Sequence, residues 1–332
     1  MTIQHRIFSR AGLLGNPSDG YNGKTISLTV RQFYCDVQLQ PSDKLEIQRG
    51  PEESNIFDSI DRLATTIRLQ GYYGGTRLIK ASVKRFFDFC GDQFDENKQN
   101  FRLSFSSTIP RQVGLAGSSA IVIATLRCLS EYYHIDIPPH LFASLALSVE
   151  RDELGIPAGL QDRVIQTMEG VVYMDFDHSK MKVENGLSFG EYQRLDSELL
   201  PNLYVAYAES VGEPTEVLHN DLRQRFEAGD AQVKLAMHEF AQLAEQGKLA
   251  MEQKNHEQLS RLIDQNFDLR HSICRILPEH LRMVKVARSV GVSAKFCGSG
   301  GAIIGSFSDP AMFQTLQIEM GKIGCRTVCL EF

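Results

Sequence analysis

The stretch Ile109-Pro110-Arg111-Gln112-Val113-Gly114-Leu115-Ala116-Gly117-Ser118-Ser119-Ala120 decides how the rest of this chain is read. Its two glycines let the backbone approach an anion closely, and the paired serines stand where a helix N-cap belongs. Apolar residues from Ala120 to Leu129 predict a helix directly behind it, whose first-turn N–H groups have no intrahelical partner. A phosphate held there meets several donors and the positive end of the helix dipole, about 0.3–1 kcal/mol per exposed charge. A serine hydroxyl at the same point can ligate Mg2+. The segment serves equally as a glycine-containing connection closed by a capping serine, so taken alone it leaves both readings open.

Upstream of the loop, Phe101-Arg102-Leu103-Ser104-Phe105 alternates with period two and predicts a strand. Apolar spacing of three to four predicts helices over 56–70, 76–90, 140–153 and 159–168. Lys24 to Val30 is β-rich, and Val171 to Met174 reads as a further strand. A polar connection from His178 to Ser197 precedes the strand Leu203 to Tyr207. The composition then changes: residues 214–268 are charged amphipathic helices, and the tail returns to β signal at Ala294–Cys297, Ala302–Phe307 and 325–331. The pattern predicts an α+β chain in two lobes, with the boundary near 195–201.

Two more glycine-bearing segments flank this centre. Gly20-Tyr21-Asn22-Gly23-Lys24-Thr25 resembles the end of a phosphate-binding P-loop, but Ser18 occupies the place of the first glycine and no apolar helix follows Thr25. What remains is a strand ending in a turn that offers Asn16, Ser18 and Asp19 to hydroxyl groups, or simply makes the turn. The other segment, Lys295-Phe296-Cys297-Gly298-Ser299-Gly300-Gly301-Ala302, is a turn between strands that can close over phosphates or pack against the first loop. Between them, Glu150 ends one predicted helix and Asp162 begins the next, so a turn can bring two carboxylates together. One can hold a metal while the other takes or orients a hydroxyl proton.

Bulk properties narrow the class. The 332 residues are 42% hydrophobic and carry a net charge of -6, with no basic face for nucleic acid. No apolar run reaches the length of a membrane span, and the first residues lack a secretory apolar stretch. Seven cysteines include no CxxC pair, and the nine histidines form no zinc motif. Packed, reduced thiols predict a cytoplasmic protein.

In their order along the chain these pieces resemble the GHMP kinase family, which includes galactokinase, homoserine kinase and mevalonate kinase. The family's first motif is matched by Arg10, Gly15, Asn16, Ser18 and Asp19. Its second, P-x-x-x-G-L-G-S-S-A, is matched by Pro110 to Ala120, and its third by Gly298, Gly300 and Gly301. The chain looks most like the glucuronokinase subgroup, which phosphorylates D-glucuronate at the anomeric hydroxyl. That likeness lies in Leu14–Asp19, Gly71–Gly75, Pro110–Gln112, Glu153–Ile156, Ala158–Arg163, Lys295–Phe296 and Gly298–Gly301.

The resemblance implies an N-terminal lobe over 1–197, similar to a ribosomal-protein-S5-like α/β domain, and a helix-rich α/β sandwich lobe over 198–332. It implies ATP and Mg2+ as cofactors and a small sugar or sugar acid as partner. Phosphates would lie along Pro110, Gly114, Leu115, Ala116, Gly117, Ser118, Ser119 and Ala120. Asp162 would orient or deprotonate the hydroxyl, Arg10 would stand near the transferred phosphoryl group, and Glu150 would bind the metal. Asn16, Pro17, Ser18, Asp19 and Gly300 would face the substrate. A uronate needs a cation for its carboxylate, for which Arg111, Arg163 and Lys24 are the candidates.

Two departures from the family pattern matter. One extra residue lies between Leu115 and Ala120, so the metal serine is Ser118 counted from the left and Ser119 counted from the helix; helix register favours Ser119. Asn16 stands where many relatives carry glutamate, which removes a charge that would repel an anionic substrate. Rival readings are a kinase for galacturonate, galactose or a mevalonate-like alcohol, a non-catalytic binding protein on this fold, and a decarboxylase of a phosphorylated acid.

Overall fold

A computed structural model describes residues 2–48, 75–91, 100–209 and 216–332. The helix expected over 56–70 and the Gly71–Gly74 part of the family likeness lie outside the described residues. Strands β1 (Ile3–Leu14) and β2 (Lys24–Pro41) form a long antiparallel pair, with Ile3 opposite Leu39 and Leu14 opposite Ile26. Strand β3 (Glu46–Ile47) runs parallel to β4 (Phe101–Ser107), which pairs with the second half of β2; β5 (Val171–Asp175) pairs with its first half. A hairpin of β6 (Lys182–Glu184) and β7 (Leu187–Phe189) leads to β8 (Glu191–Leu195), which completes the six-stranded sheet beside β5. These last three strands fall in the stretch expected to be a polar connection. Most of their side chains are exposed, so they carry no apolar alternation for a sequence reading to find.

Helices α1 (Gly75–Cys90), α2 (Gly117–Tyr133), α3 (Pro139–Ser148) and α4 (Leu160–Met168) belong to this part of the chain, with α2 and α4 packed on β1 and β2. From Ala120 to Leu126 every residue of α2 is buried, which explains why its sequence reads as a continuous apolar run rather than a stripe. Strand β1 alternates in exposure at first and is then buried at every position from Ser9 to Leu14. A strand buried on both faces needs cover on both. The second cover comes from beyond residue 200.

There the strands β9 (Leu203–Ala208), β10 (Lys295–Phe296), β11 (Ala302–Ser306) and β12 (Cys325–Cys329) form a separate antiparallel sheet in the order β10-β11-β9-β12. Its helices are α5 (Glu216–Glu227), α6 (Ala231–Glu252), α7 (His256–Ile273), α8 (Pro278–Ser289) and α9 (Pro310–Gly321). Asp230, Asn255 and Asp309 cap α6, α7 and α9 by accepting from first-turn N–H groups. Helix α6 buries Val233, Ala236, Met237, Phe240 and Ala244 and lies against β2, while α7 packs on β1. One hydrophobic core therefore runs from Leu13 and Ile26 through Phe240 and Leu262 to Ile304. This packing encloses the end of β1 and places Arg10, Gly12 and Asn16 where the two sheets face each other.

Candidate active site

The amino end of α2 is built under local strain. Ala116, its N-cap, sits in the left-handed region at φ 60 and makes no side-chain capping bond. Gln112 is also left-handed, at φ 57. For a residue with a Cβ this conformation costs about 1 kcal/mol or more. The turn lets the helix begin at Gly117, three residues before the expected Ala120, and leaves the first-turn N–H groups uncapped by any side chain.

The earlier start rotates the two serines apart by about 100°. Ser118 Oγ donates to Glu150 Oε1 at 2.8 Å. Ser119 is buried, and its Oγ donates instead to Gln166 Oε1 of α4 at 2.6 Å. The pairing with Glu150 expected of Ser119 is thus made by Ser118. Counting from the helix put the helix start too late.

Glu150 is fully buried in a π-helical turn, Val149–Glu153, that prolongs α3. Arg163, one turn into α4, donates its Nε to Glu150 Oε2 at 2.8 Å, and its Nη2 closes on the same oxygen. Arg163 Nη1 donates to Gly159 O at 2.9 Å and lies 3.7 Å from Asp162 Oδ2. Arg163 is therefore committed to Glu150 and is not the expected clamp for a substrate carboxylate. Asp162 accepts from Arg10 in a fork, Nε to Oδ1 at 2.6 Å and Nη2 to Oδ2 at 2.8 Å. Arg10 Nη1 donates to Gly114 O at 2.6 Å and to Cys297 O at 3.2 Å. A continuous chain of contacts thus links the glycine loop, Arg10, Asp162, Arg163, Glu150 and Ser118.

The third glycine segment packs against the second. A Cβ at Gly298 would run into Gly114 O and lie 3.0 Å from each of the two terminal Arg10 guanidinium nitrogens, so only glycine fits. Arg270 of α7 holds this turn from behind, donating to Gly298 O at 2.7 Å and Ser299 O at 3.2 Å.

The residues expected to face a substrate divide. Ser18 is buried and spends its hydroxyl on Lys24 O at 3.1 Å, which closes the turn beside Pro17. Lys24 pairs with Glu245 and, at 3.7 Å, with Asp175, away from the loop. Arg111 is exposed on the loop, and Gly300 lies in the third turn. Asp19 packs against Gly159, close to Asp162. Burial first and the Asp162 charge second push its carboxyl up to about 6, against the pull of Arg10, the Gln161 N–H and Arg163.

Sequence reasoning missed Lys295 and Gln161. Lys295 is 1% exposed, and its Nζ donates to Gly12 O at 2.7 Å, Asn16 Oδ1 at 2.6 Å and Phe296 O at 2.9 Å. Burial, with Arg270 and Arg10 adding to it, lowers its pKa to about 7. No local pattern marks a lysine as buried. The one hint in the sequence was that Lys295–Phe296 and Ala158–Arg163 are among the stretches that carry the family likeness.

Among the described residues no group of three or more His, Cys, Asp or Glu could cage a metal. Ser118 and Glu150 nevertheless supply two adjacent oxygens beside an uncapped helix terminus. That donor set suits a hard cation completed by phosphate oxygens and water. No helix among the described residues is long and apolar enough to cross a membrane.

Residues 77–170 match the GHMP kinases N-terminal domain. The chain is 42% identical over 331 residues to Glucuronokinase 1 of Arabidopsis thaliana, covering 97% of this chain and 90% of that protein. It is 41% identical to Probable glucuronokinase 2 of the same plant, over 97% and 89% of the two chains. In fold it is similar to the crystal structure of mevalonate kinase from Methanococcus jannaschii, with a TM-score of 0.73, 20% identity, and 100% and 99% of the chains covered.

Proposed function

Since this chain belongs to the GHMP kinase family, we propose that it transfers the γ-phosphoryl group of ATP to the anomeric hydroxyl of D-glucuronate, giving glucuronate 1-phosphate. It is a sugar kinase, a phosphotransferase with an alcohol group as acceptor. The observation that carries the reading of the site is the unbroken network from Gly114 O through Arg10, Asp162, Arg163 and Glu150 to Ser118. Phosphoryl transfer needs alignment and charge neutralisation more than covalent help. The network couples the two demands.

The N–H groups opening α2 receive the polyphosphate, and the helix dipole favours its charge. Ser118 and Glu150 would hold Mg2+, which when bound neutralises phosphate oxygens. Arg10 sets Asp162 against the phosphate loop and adds a positive charge there. Asp162, both of whose oxygens already accept from Arg10, keeps lone pairs to orient the acceptor hydroxyl. Asn16 and Asp19 face the sugar. In this reading the lobes are 1–197 and 198–332, and buried thiols such as Cys35, Cys128 and Cys297 support a reducing, cytoplasmic setting.

ADP release with ATP and a panel of glucuronate, galacturonate, galactose, mevalonate and homoserine tests the proposal. The expected result is the highest kcat/KM with glucuronate. Equal rates with glucuronate and galactose would overturn it.

A further inference from the structure

We infer that Lys295 is a positioning residue that turns Asn16 into a hydrogen-bond donor for the substrate's carboxylate, with the Gln161 amide as a second donor beside it. The inference rests on the reading that the substrate is a sugar acid.

The geometry begins with a count of donors. When protonated, Lys295 Nζ gives all three of its hydrogens to oxygens: Gly12 O, Phe296 O and Asn16 Oδ1. The last contact fixes which way the Asn16 carboxamide points. Its oxygen is taken, so its Nδ2 is what remains, and that nitrogen makes no hydrogen bond among the described residues. A carboxylate at position 16 would present an acceptor to the sugar; the tethered amide presents a donor. Gln161 is 3% exposed, and its side-chain amide also makes no hydrogen bond among the described residues, with Oε1 left buried and unsatisfied. A Cβ on Gly12 would lie 2.8 Å from Gln161 Nε2 and 3.0 Å from Asn16 Oδ1, so the two amides flank one point on β1. The buried Gln161 Oε1 lacks a donor, a cost of about 1–3 kcal/mol that a substrate hydroxyl can relieve, while its Nε2 is left to face an acceptor.

Charge selects the ligand. Asp19 and Asp162 lie close enough to interact and repel an anion from their own position, with Arg10 and Arg163 in part offsetting their charge. Arg163 is spent on Glu150, and Arg10 on Asp162. Lys295, by contrast, meets only neutral oxygens among the described residues: the nearby Cys297 thiol is held protonated, its pKa raised to about 12 chiefly by burial. Arg270 donates to carbonyls among the described residues. A carboxylate accepting from Asn16 Nδ2 would stand one amide away from an ammonium that has no counter-charge, and binding would supply one.

The test compares glucuronate with glucose, which carries a neutral CH2OH in place of the carboxylate. Asn16→Asp keeps the shape, gives Lys295 a carboxylate partner that holds the fold together, and reverses the donor. It is expected to raise KM for glucuronate about 30-fold or more and KM for glucose about threefold or less. Lys295→Met is expected to raise KM for glucuronate about tenfold with little change in kcat, the split a purely structural role would not give. Should that variant fail to fold, Asn16→Asp decides alone. Wild type that prefers glucuronate, together with an Asn16→Asp variant whose KM rises equally for both sugars or for neither, overturns this inference and spares the proposed function. Wild type that uses both sugars equally overturns both.

Discussion

The two ends of the cleft solve the problem of buried charge in opposite ways. At the phosphate end each cation that matters is matched by a carboxylate: Arg10 by Asp162 and Arg163 by Glu150. At the sugar end Lys295 is buried with carbonyl and amide oxygens as its hydrogen-bond partners among the described residues. A matched pair loses little when the site is empty and costs a great deal when broken. An unmatched cation costs stability in the empty protein and is relieved by an anion. The phosphate end is thus self-sufficient scaffolding. The sugar end is poised for a ligand of opposite sign.

Breaking a matched pair should have the largest effect. Glu150→Ala leaves Arg163 buried without its carboxylate, and equilibrium urea unfolding should show a loss of about 3–5 kcal/mol along with abolished turnover. Adding Arg163→Met should restore part of the stability and none of the activity. If the single variant were as stable as wild type, the pair would not be the support described.

Next comes Asp162→Asn, which keeps an oxygen for Arg10 but removes the charge. Turnover in a coupled ADP assay should fall about a thousandfold, some 4 kcal/mol of barrier, with KM for ATP changed only a few-fold. Near wild-type turnover would remove Asp162 from the reaction. Smaller again is the contrast between neighbours. Ser118→Ala should raise the Mg2+ concentration needed for half-maximal rate about tenfold or more. Ser119→Ala leaves Gln166 Oε1 without its hydroxyl and should register in unfolding, at about 1–2 kcal/mol. Reversal of the two phenotypes would return the metal role to Ser119.

The same contrast explains what could be read from the chain alone. The phosphate end is written in short range: a glycine loop, two serines and the helix behind them are contiguous, and Glu150 and Asp162 lie twelve residues apart by numbering. Local backbone rules suffice to find them. What they could not supply was the left-handed Ala116, with which the helix opens at Gly117 and Ser118, rather than Ser119, hydrogen-bonds Glu150. The sugar end is assembled from afar, Lys295 of the second sheet reaching Asn16 and Asn266 of α7 accepting from Gly15 N. Nothing near Lys295 in sequence says that its charge will be buried. The six-stranded sheet was legible where burial alternates or saturates, in β4, β5 and the first half of β2. It was not legible in the mostly exposed β8, whose side chains carry no apolar signature.

Asp19 offers the finest probe, because it sits between the two ends. Its carboxyl is raised from 3.8 to about 6, by burial and then by Asp162. The native state therefore binds its proton more tightly than the unfolded chain, and wild-type stability falls as pH climbs from about 4 to about 6, then stays lowered. Asp19→Asn cannot ionise and escapes that loss. It should unfold about 1–2 kcal/mol harder than wild type near neutral pH, a figure reduced from the full shift for partial solvent screening. The gain should shrink as pH is lowered through that window and vanish below about 4, where both proteins are neutral at this position. The same variant should bind the sugar less well, since a carboxylate acceptor facing its hydroxyls is lost. A gain in stability that is independent of pH would mean that Asp19 feels neither its burial nor Asp162.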